Sequence, residues 1–391
     1  MKNLSNFILI IASVFFIYAC GTSNENTKSE STITKDLLSA RYDRLLSYSV
    51  DSVSFPRSYT RAENSVRGVL PSDWTSGFFP GNLWLLHKLT GDDEYKRKAM
   101  EWTAYMENEK YNDRTHDMGF KIYCSYGNGY KETNREDYKD IIIKSAKTLC
   151  TRFNKNVGSI RSWDFNSDVW EFPVIIDNMM NLELLFEATR LSGDSTFHHI
   201  AVTHANKTLK NHYREDGSSY HVLVYDTING NVLDKVTHQG ISDESIWARG
   251  QAWGVYGYTM SYRYTKDPTY LARAESSAAF YLNHPTLRED GIPYWDFKDP
   301  AIPDAPRDVS AATVMASALL ELSSFTNNDE YAAYSNKVIQ SLTSKEYVLH
   351  ADLSAPFILD HSTGNWPKKD EMDEPIVYAD YYFLESLLRS K

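Results

Sequence analysis

Two aspartates stand where proton-transfer chemistry could be done. In EFPVIIDNMMNLELLF, residues 171–186, Asp177 is surrounded by Ile175, Ile176, Met179 and Met180. A carboxyl in such company loses hydration, and desolvation favours its protonated form. An acid that stays protonated near neutrality is what general acid catalysis uses. The position also suits a first-turn aspartate at the positive end of a helix dipole, with Pro173 read as the start of that helix. In THDMGF, residues 115–120, Asp117 follows His116. It is either a loop carboxylate capping a helix or a second acid held in a cleft beside an imidazole.

Two further segments carry more aromatic and polar residues than helix ends need. SDWTSGFFPGNLW, residues 72–84, brings Trp74 to a helix start, where core packing is the ordinary role for such a ring. THQGISDESIWARGQAWGVYGY, residues 237–258, holds His238, Gln239, Trp247, Arg249, Gln251 and Trp253. Helical spacing cannot put all of these on one narrow stripe, so a plain amphipathic core helix explains the segment poorly. An arginine between two tryptophans suits a sugar carboxylate beside stacking rings.

Composition narrows the partners. The 391 residues carry a formal net charge of −11, which excludes a broad basic surface for nucleic acid or another polyanion. An anionic ligand must therefore be met locally, and aromatic residues, 14% of the chain, offer rings for sugar stacking as well as for the core. No zinc, dinucleotide, phosphate-loop or nucleophile-elbow motif occurs, so neither metal nor cofactor is expected.

The elements that must hold these segments are helical. A polar or glycine turn, then Asp, then an aromatic residue opening an amphipathic helix recurs at TGDDEY (Tyr95), NREDY (Tyr138), SGDSTF (Phe197), TKDPTY (Tyr270) and TNNDEY (Tyr331), with a weaker version at Asp36. Gly or Asn stops one helix and Asp caps the next. Four intervals separate Tyr95 from Tyr331, a mean of 59 residues, longer than the roughly 34 to 47 residues of solenoid units, and six helical hairpins fit the length. The expectation is an all-α fold, an (α/α)6 barrel whose loop-rich end forms a cleft.

Ahead of this region, Lys2 precedes an apolar run from Phe7 to Ala19 that is too short to span a bilayer, which needs about 20 residues. Residues 1–19 read as a signal peptide ending in a lipobox, with Cys20 lipidated; residues 20–34 read as a flexible tether, and 35–391 as the helical domain. That places the protein in a bacterial cell envelope, held to a membrane by lipid. Cys124 and Cys150 are expected as free thiols.

HDMGF, IIDNMMNLELL, and HQG followed by SDESIWARGQAW resemble the unsaturated glucuronyl hydrolases of glycoside hydrolase family 88, and the likeness runs from the Trp74 region to IVYADYYFLESLL, residues 376–388. The resemblance implies an (α/α)6 barrel with Asp177 as general acid and base and Asp117 assisting. It implies substrate contacts from His221, Gln239, Trp247, Arg249 and Trp253, with Trp74, Trp163 and His116 beside them. The implied substrates are oligosaccharides ending in a 4,5-unsaturated uronic acid, made by lyases from ulvan, a glycosaminoglycan or a similar glycan. A related group acting on unsaturated galacturonyl-rhamnose ends shares the fold, but its segment reads closer to WARGNGW; Gln251 and Ala252 lean to the glucuronyl group. A non-catalytic glycan-binding lipoprotein is the alternative from another class. The loop HSTGNWPKKD, residues 361–370, offers Ser362, Thr363, Lys368 and Lys369 for sulfated sugars, or is an exposed basic turn.

Overall fold

The computed structural model describes residues 36–49 and 54–391. Residues 1–19, Cys20 and the 20–34 segment therefore lie outside the described residues. Within the described chain two concentric rings of helices form. The inner ring runs α2 (Phe78–Thr90), a π-wound segment Gly119–Gly127 continuing as α4 (Asn128–Thr133), α6 (Asn178–Ser192), α8 (Ala248–Thr265), α10 (Val309–Ser323) and α12 (Val377–Arg389). Each packs on the next, and α12 returns to α2, so the ring closes. The outer ring holds α1 (36–47), α3 (Asp93–Ala104), α5 (Glu136–Cys150), α7 (Ser195–Asn211), α9 (Pro268–Leu282) and α11 (Asp329–Leu342). This is the (α/α)6 barrel that the hairpin spacing suggests.

The recurring punctuation opens the outer helices. Asp92, Asp194, Asp267 and Asn328 accept the N–H of Glu94, Thr196, Thr269 and Glu330, capping α3, α7, α9 and α11. At α5 the motif works differently: Arg135 takes the cap position and Asp137 lies in the first turn, paired with it. All these tight turns join the end of an inner helix to the start of an outer one, so they gather at one end of the barrel.

The long connections gather at the other end and carry short strands: β1 (Phe55–Thr60) with β2 (Ser65–Val69), β3 (Phe153–Asn154) with β4 (Ser159–Ile160), a β5–β6–β7 sheet (Pro173–Ile175, Val222–Tyr225, Val232–Val236), and β8 (Ser362–Asn365) with β9 (Asp370–Glu374). Pro173 is thus the first residue of a strand and not a helix start. It pairs with Val224, and a missing N–H is tolerated at a strand's beginning. The helix begins only after Asp177.

Inner helices pack on two ring neighbours, an outer helix and the axis, so they are buried nearly all round. That is why α8, which touches α6, α9 and α10, is buried without a break from Ala248 to Ser261. Trp253 closes the axis against Phe120 and Tyr382, with ring centroids 5.3 Å away in each case. Cys124 is buried and Cys150 half-buried, and neither forms a disulfide.

Candidate active site

The loop-rich end opens into a cavity of about 330 Å3, lined by starts of inner helices and by the strand-bearing loops. Asp117 and Asp177 both line it, as do Trp74, His116, Trp163, Gln239, Trp247 and Arg249. Asp117 sits just before the π-wound segment. That segment lies so close to α6 that a Cβ on Gly119 would fall 2.6 Å from the Cα of Asn181, whose Oδ1 accepts the Phe120 N–H at 3.0 Å. The glycine of HDMGF therefore sets the approach that brings the two aspartates into one cavity.

Asp177 occupies the cap position of α6, yet its side chain takes no hydrogen bond from that helix. It is buried, and Oδ2 has no hydrogen-bond partner. Burial first, and then the neighbouring Asp117 charge, push its carboxyl up to about 7, against the opposing pull of Arg249. Behind it stands His221, which lies outside the main cavity's wall. Its Nδ1 accepts the N–H groups of His238 and Gln239, both at 3.1 Å, so the ring proton resides on Nε2. That nitrogen is 3.8 Å from Asp177 Oδ2. Burial holds the imidazole well below its ordinary pKa, so a neutral N–H faces the acid.

Asp117 is held by Thr115, and the unpartnered Nε2 of His116 lies beside it. Thr115 Oγ1 donates to its Oδ2 at 2.8 Å, and His116 Nε2 lies 3.1 Å from Oδ1. His116 in turn donates from Nδ1 to the Ser162 carbonyl at 2.7 Å. Burial lowers the His116 pKa while Asp117 opposes that shift.

Rings form the walls. Trp74 lies 4.9 Å from Tyr378, Trp247 lies 4.7 Å from His221, and Trp163 stacks on Phe165. Two tryptophans of WARGQAW thus have different fates. Trp247 precedes α8 and faces the cavity, whereas Trp253 is fully buried on the barrel axis and does not line it. The expected substrate contact from Trp253 is corrected to a core role.

Arg249 lines the cavity, and most of its guanidinium is already engaged. Its Nη1 donates to Asp308 at 2.6 Å, Ser310 at 3.1 Å and the Thr363 carbonyl at 2.7 Å, and Nη2 donates to the Gly364 carbonyl at 2.6 Å. The guanidinium ties α8 to α10 and to the β8–β9 hairpin, leaving Nε without a partner. Gln239 holds the same hairpin, donating to the Gly364 carbonyl at 3.0 Å. Of the other cavity cations, Arg57 is engaged by Glu371 and Asp73, and Arg67 by Asp370. Among the described residues lining the cavity, Lys368 is exposed and makes no ion pair. Its neighbours in HSTGNWPKKD do not share that placement, since Ser362 and Thr363 are buried and Lys369 is not in the wall.

Sequence reasoning missed Tyr378, Phe165, Ile175 and the two arginines of the β1–β2 hairpin, all in the wall. Tyr378 opens α12 and has a buried hydroxyl without a partner. The signal that would have found it is its place at the start of an inner helix. A raised pKa alone marks no site: Asp380 is also pushed up to about 7 by burial, but its oxygens accept the Ile358 and Leu359 N–H groups, both at 2.9 Å, away from the cavity. Among the described residues no cluster of three or more His, Cys, Asp or Glu could hold a metal ion.

Comparison with known proteins agrees with this arrangement. The sequence profile described as Glycosyl Hydrolase Family 88 matches residues 54–286. An unsaturated glucuronyl hydrolase of Formosa agariphila is 57% identical over 395 residues, covering 100% of this chain and 99% of that protein. An unsaturated chondroitin disaccharide hydrolase of Streptococcus pyogenes is 30% identical, covering 94% and 93%. A crystal structure of an unsaturated glucuronyl hydrolase specific for heparin superposes with a TM-score of 0.88 at 45% identity, covering 93% of this chain and 97% of that one. With a closed double ring, an acid pair in its loop-end cavity and these relatives, the chain belongs to glycoside hydrolase family 88.

Proposed function

We propose that this glycoside hydrolase removes a terminal 4,5-unsaturated glucuronic acid from oligosaccharides left by polysaccharide lyases, by hydrating the C4=C5 double bond. The observation that carries the reading is the buried, partnerless oxygen of Asp177, poised near neutrality beside Asp117 in a sugar-sized cavity. Protonated Asp177 gives its proton to C4, and positive charge develops at C5, shared with the ring oxygen. Water then adds to C5 and its proton passes to the Asp177 carboxylate, restoring the acid. The resulting hemiketal opens to a ketone at C5, and the hemiacetal this leaves at C1 releases the rest of the chain. Asp117, braced by Thr115, orients the sugar and steadies the charge, and the Nε2–H of His221 stabilises the Asp177 carboxylate while the proton is away. Lys368 and the unpaired Nε of Arg249 are the donors suited to the uronate carboxylate. Because the attack is at C5, the separation of the two carboxyls does not report inversion or retention at C1.

The experiment is to follow ultraviolet absorbance of the double bond with lyase products of chondroitin, heparin, hyaluronan, ulvan and gellan. Loss of absorbance with release of the saturated chain supports the reading and names the glycan. Stoichiometric binding without turnover favours the glycan-binding alternative. Cleavage of a saturated aryl glucuronide alone favours attack at C1.

The same reading places the enzyme on a membrane of the cell envelope through lipid on Cys20, supported by the apolar run before that residue. Metabolic labelling with a radiolabelled fatty acid, lost in Cys20→Ser, tests it.

A further inference from the structure

The mouth of the cavity is walled on one side by a cluster of aromatic rings. Trp163 and Phe165 stack with centroids 4.9 Å apart and planes 12° from parallel. Trp170 meets both, at 5.2 Å and 5.9 Å. The loop that carries them is anchored. Asp164, between the two stacked rings, accepts from Arg152 at 2.9 and 3.1 Å and lies 3.3 Å from Arg161. Asn166, at a left-handed φ of 51°, turns the chain back, and its carbonyl accepts the N–H groups of Val169 and Trp170. Trp170 thereby returns to Phe165 and His238 fills the space among the three rings.

This wall is apolar and uncharged at neutral pH, because burial and then the Lys368 charge push His238 down to about 4. Trp163 is largely covered, whereas Phe165 remains 48% exposed while lining the cavity. A cavity of about 330 Å3 is at the small end of ligand sites, which run from roughly 300 to 1,000 Å3. It has room for the uronate over Asp177 and the sugar it leaves behind, so a longer chain must exit across the mouth. An exposed ring there, held rigidly on two others, matches the C–H face of a pyranose.

We propose that Phe165, braced by Trp163 and Trp170, is a stacking platform for the sugar ring that follows the leaving sugar, making this residue a determinant of preference for longer substrates. The proposal rests on the reaction assigned above.

The test compares kcat/KM for the best substrate of the lyase-product panel in its shortest unsaturated form and in the form one repeat longer. The wild type should favour the longer form, and Phe165→Ala should cut kcat/KM for it by about fivefold more than for the shorter one. Phe165→Trp should keep the preference, as should Val169→Ser on the same loop. Equal kcat/KM for both lengths in the wild type, or an equal loss on both in Phe165→Ala, overturns the platform while leaving the reaction intact. Failure of the wild type on every unsaturated substrate overturns the reaction reading instead.

Discussion

Replacing Asp117 by asparagine removes the second of the influences that lift the Asp177 carboxyl from 3.8 to about 7. That lift is worth roughly 4 kcal/mol at about 1.4 kcal/mol per pKa unit. Burial is the larger influence, so less than half of the upward push leaves with the Asp117 charge, which sets the expected fall at about one unit. Since Asp177 must be protonated to attack C4, kcat/KM falls about tenfold per pH unit above its pKa. In Asp117→Asn this alkaline limb should lie about one unit lower than in the wild type. At pH 8 the acid form then drops from about one molecule in ten to about one in a hundred. At pH 5 both proteins are mostly protonated at Asp177, so the rate difference there isolates what Asp117 does for the sugar. Initial rates of double-bond loss between pH 5 and pH 9 supply both comparisons. A limb that stays in place, or moves upward, refutes the electrostatic coupling of the two acids.

Asp177→Asn should abolish turnover and stabilise the fold. A carboxyl whose folded pKa exceeds its unfolded value costs stability once the unfolded chain ionises, so the gain is absent near pH 4, grows between pH 4 and 7, and reaches up to about 4 kcal/mol above pH 7 in urea unfolding. Equal unfolding midpoints at pH 8 would contradict the buried, unpaired state of this acid. Trp253→Ala should cost about 3–5 kcal/mol of stability by emptying the barrel axis. A fall in kcat/KM with an unchanged urea midpoint would instead put Trp253 against substrate. Arg249→Ala leaves Asp308 buried without its cation and should cost about 3–5 kcal/mol. Hydrogen exchange should quicken in residues 362–365; wild-type protection there would mean that Arg249 does not hold the hairpin.

The outer ring was readable because its signals are local: an aspartate capping a helix needs only its own N–H two residues on, as Asp92, Asp194 and Asp267 show. Asp137 looked the same and failed because the neighbouring Arg135 captured it. The inner ring was harder. Its helices are buried on every side, so residue type does not separate Trp247, at the cavity and in the cap position of α8, from Trp253, about one and two-thirds turns deeper at 3.6 residues per turn. The ties of Arg249 to other elements were hidden for a related reason. Its partners Asp308, Thr363 and Gly364 come from distant parts of the chain, and nothing near Arg249 in sequence announces them. Pro173 was misread because three strand residues carry no periodicity, and only pairing with Val222–Tyr225 makes them a strand.

The orientation of the two rings also has an electrical side. Every inner helix starts at the cavity end, and each start carries the equivalent of about half a positive charge from its aligned peptide dipoles. The outer helices start at the opposite end, where Asp92, Asp194 and Asp267 offset the same effect at α3, α7 and α9. Apart from α10, whose first turn Asp308 caps, the inner helices have no side-chain cap, so the mouth of a chain of net charge −11 receives the positive ends of several dipoles. An anionic sugar is drawn toward the mouth by a field that no single arginine supplies, and added salt should slow its capture more than its conversion.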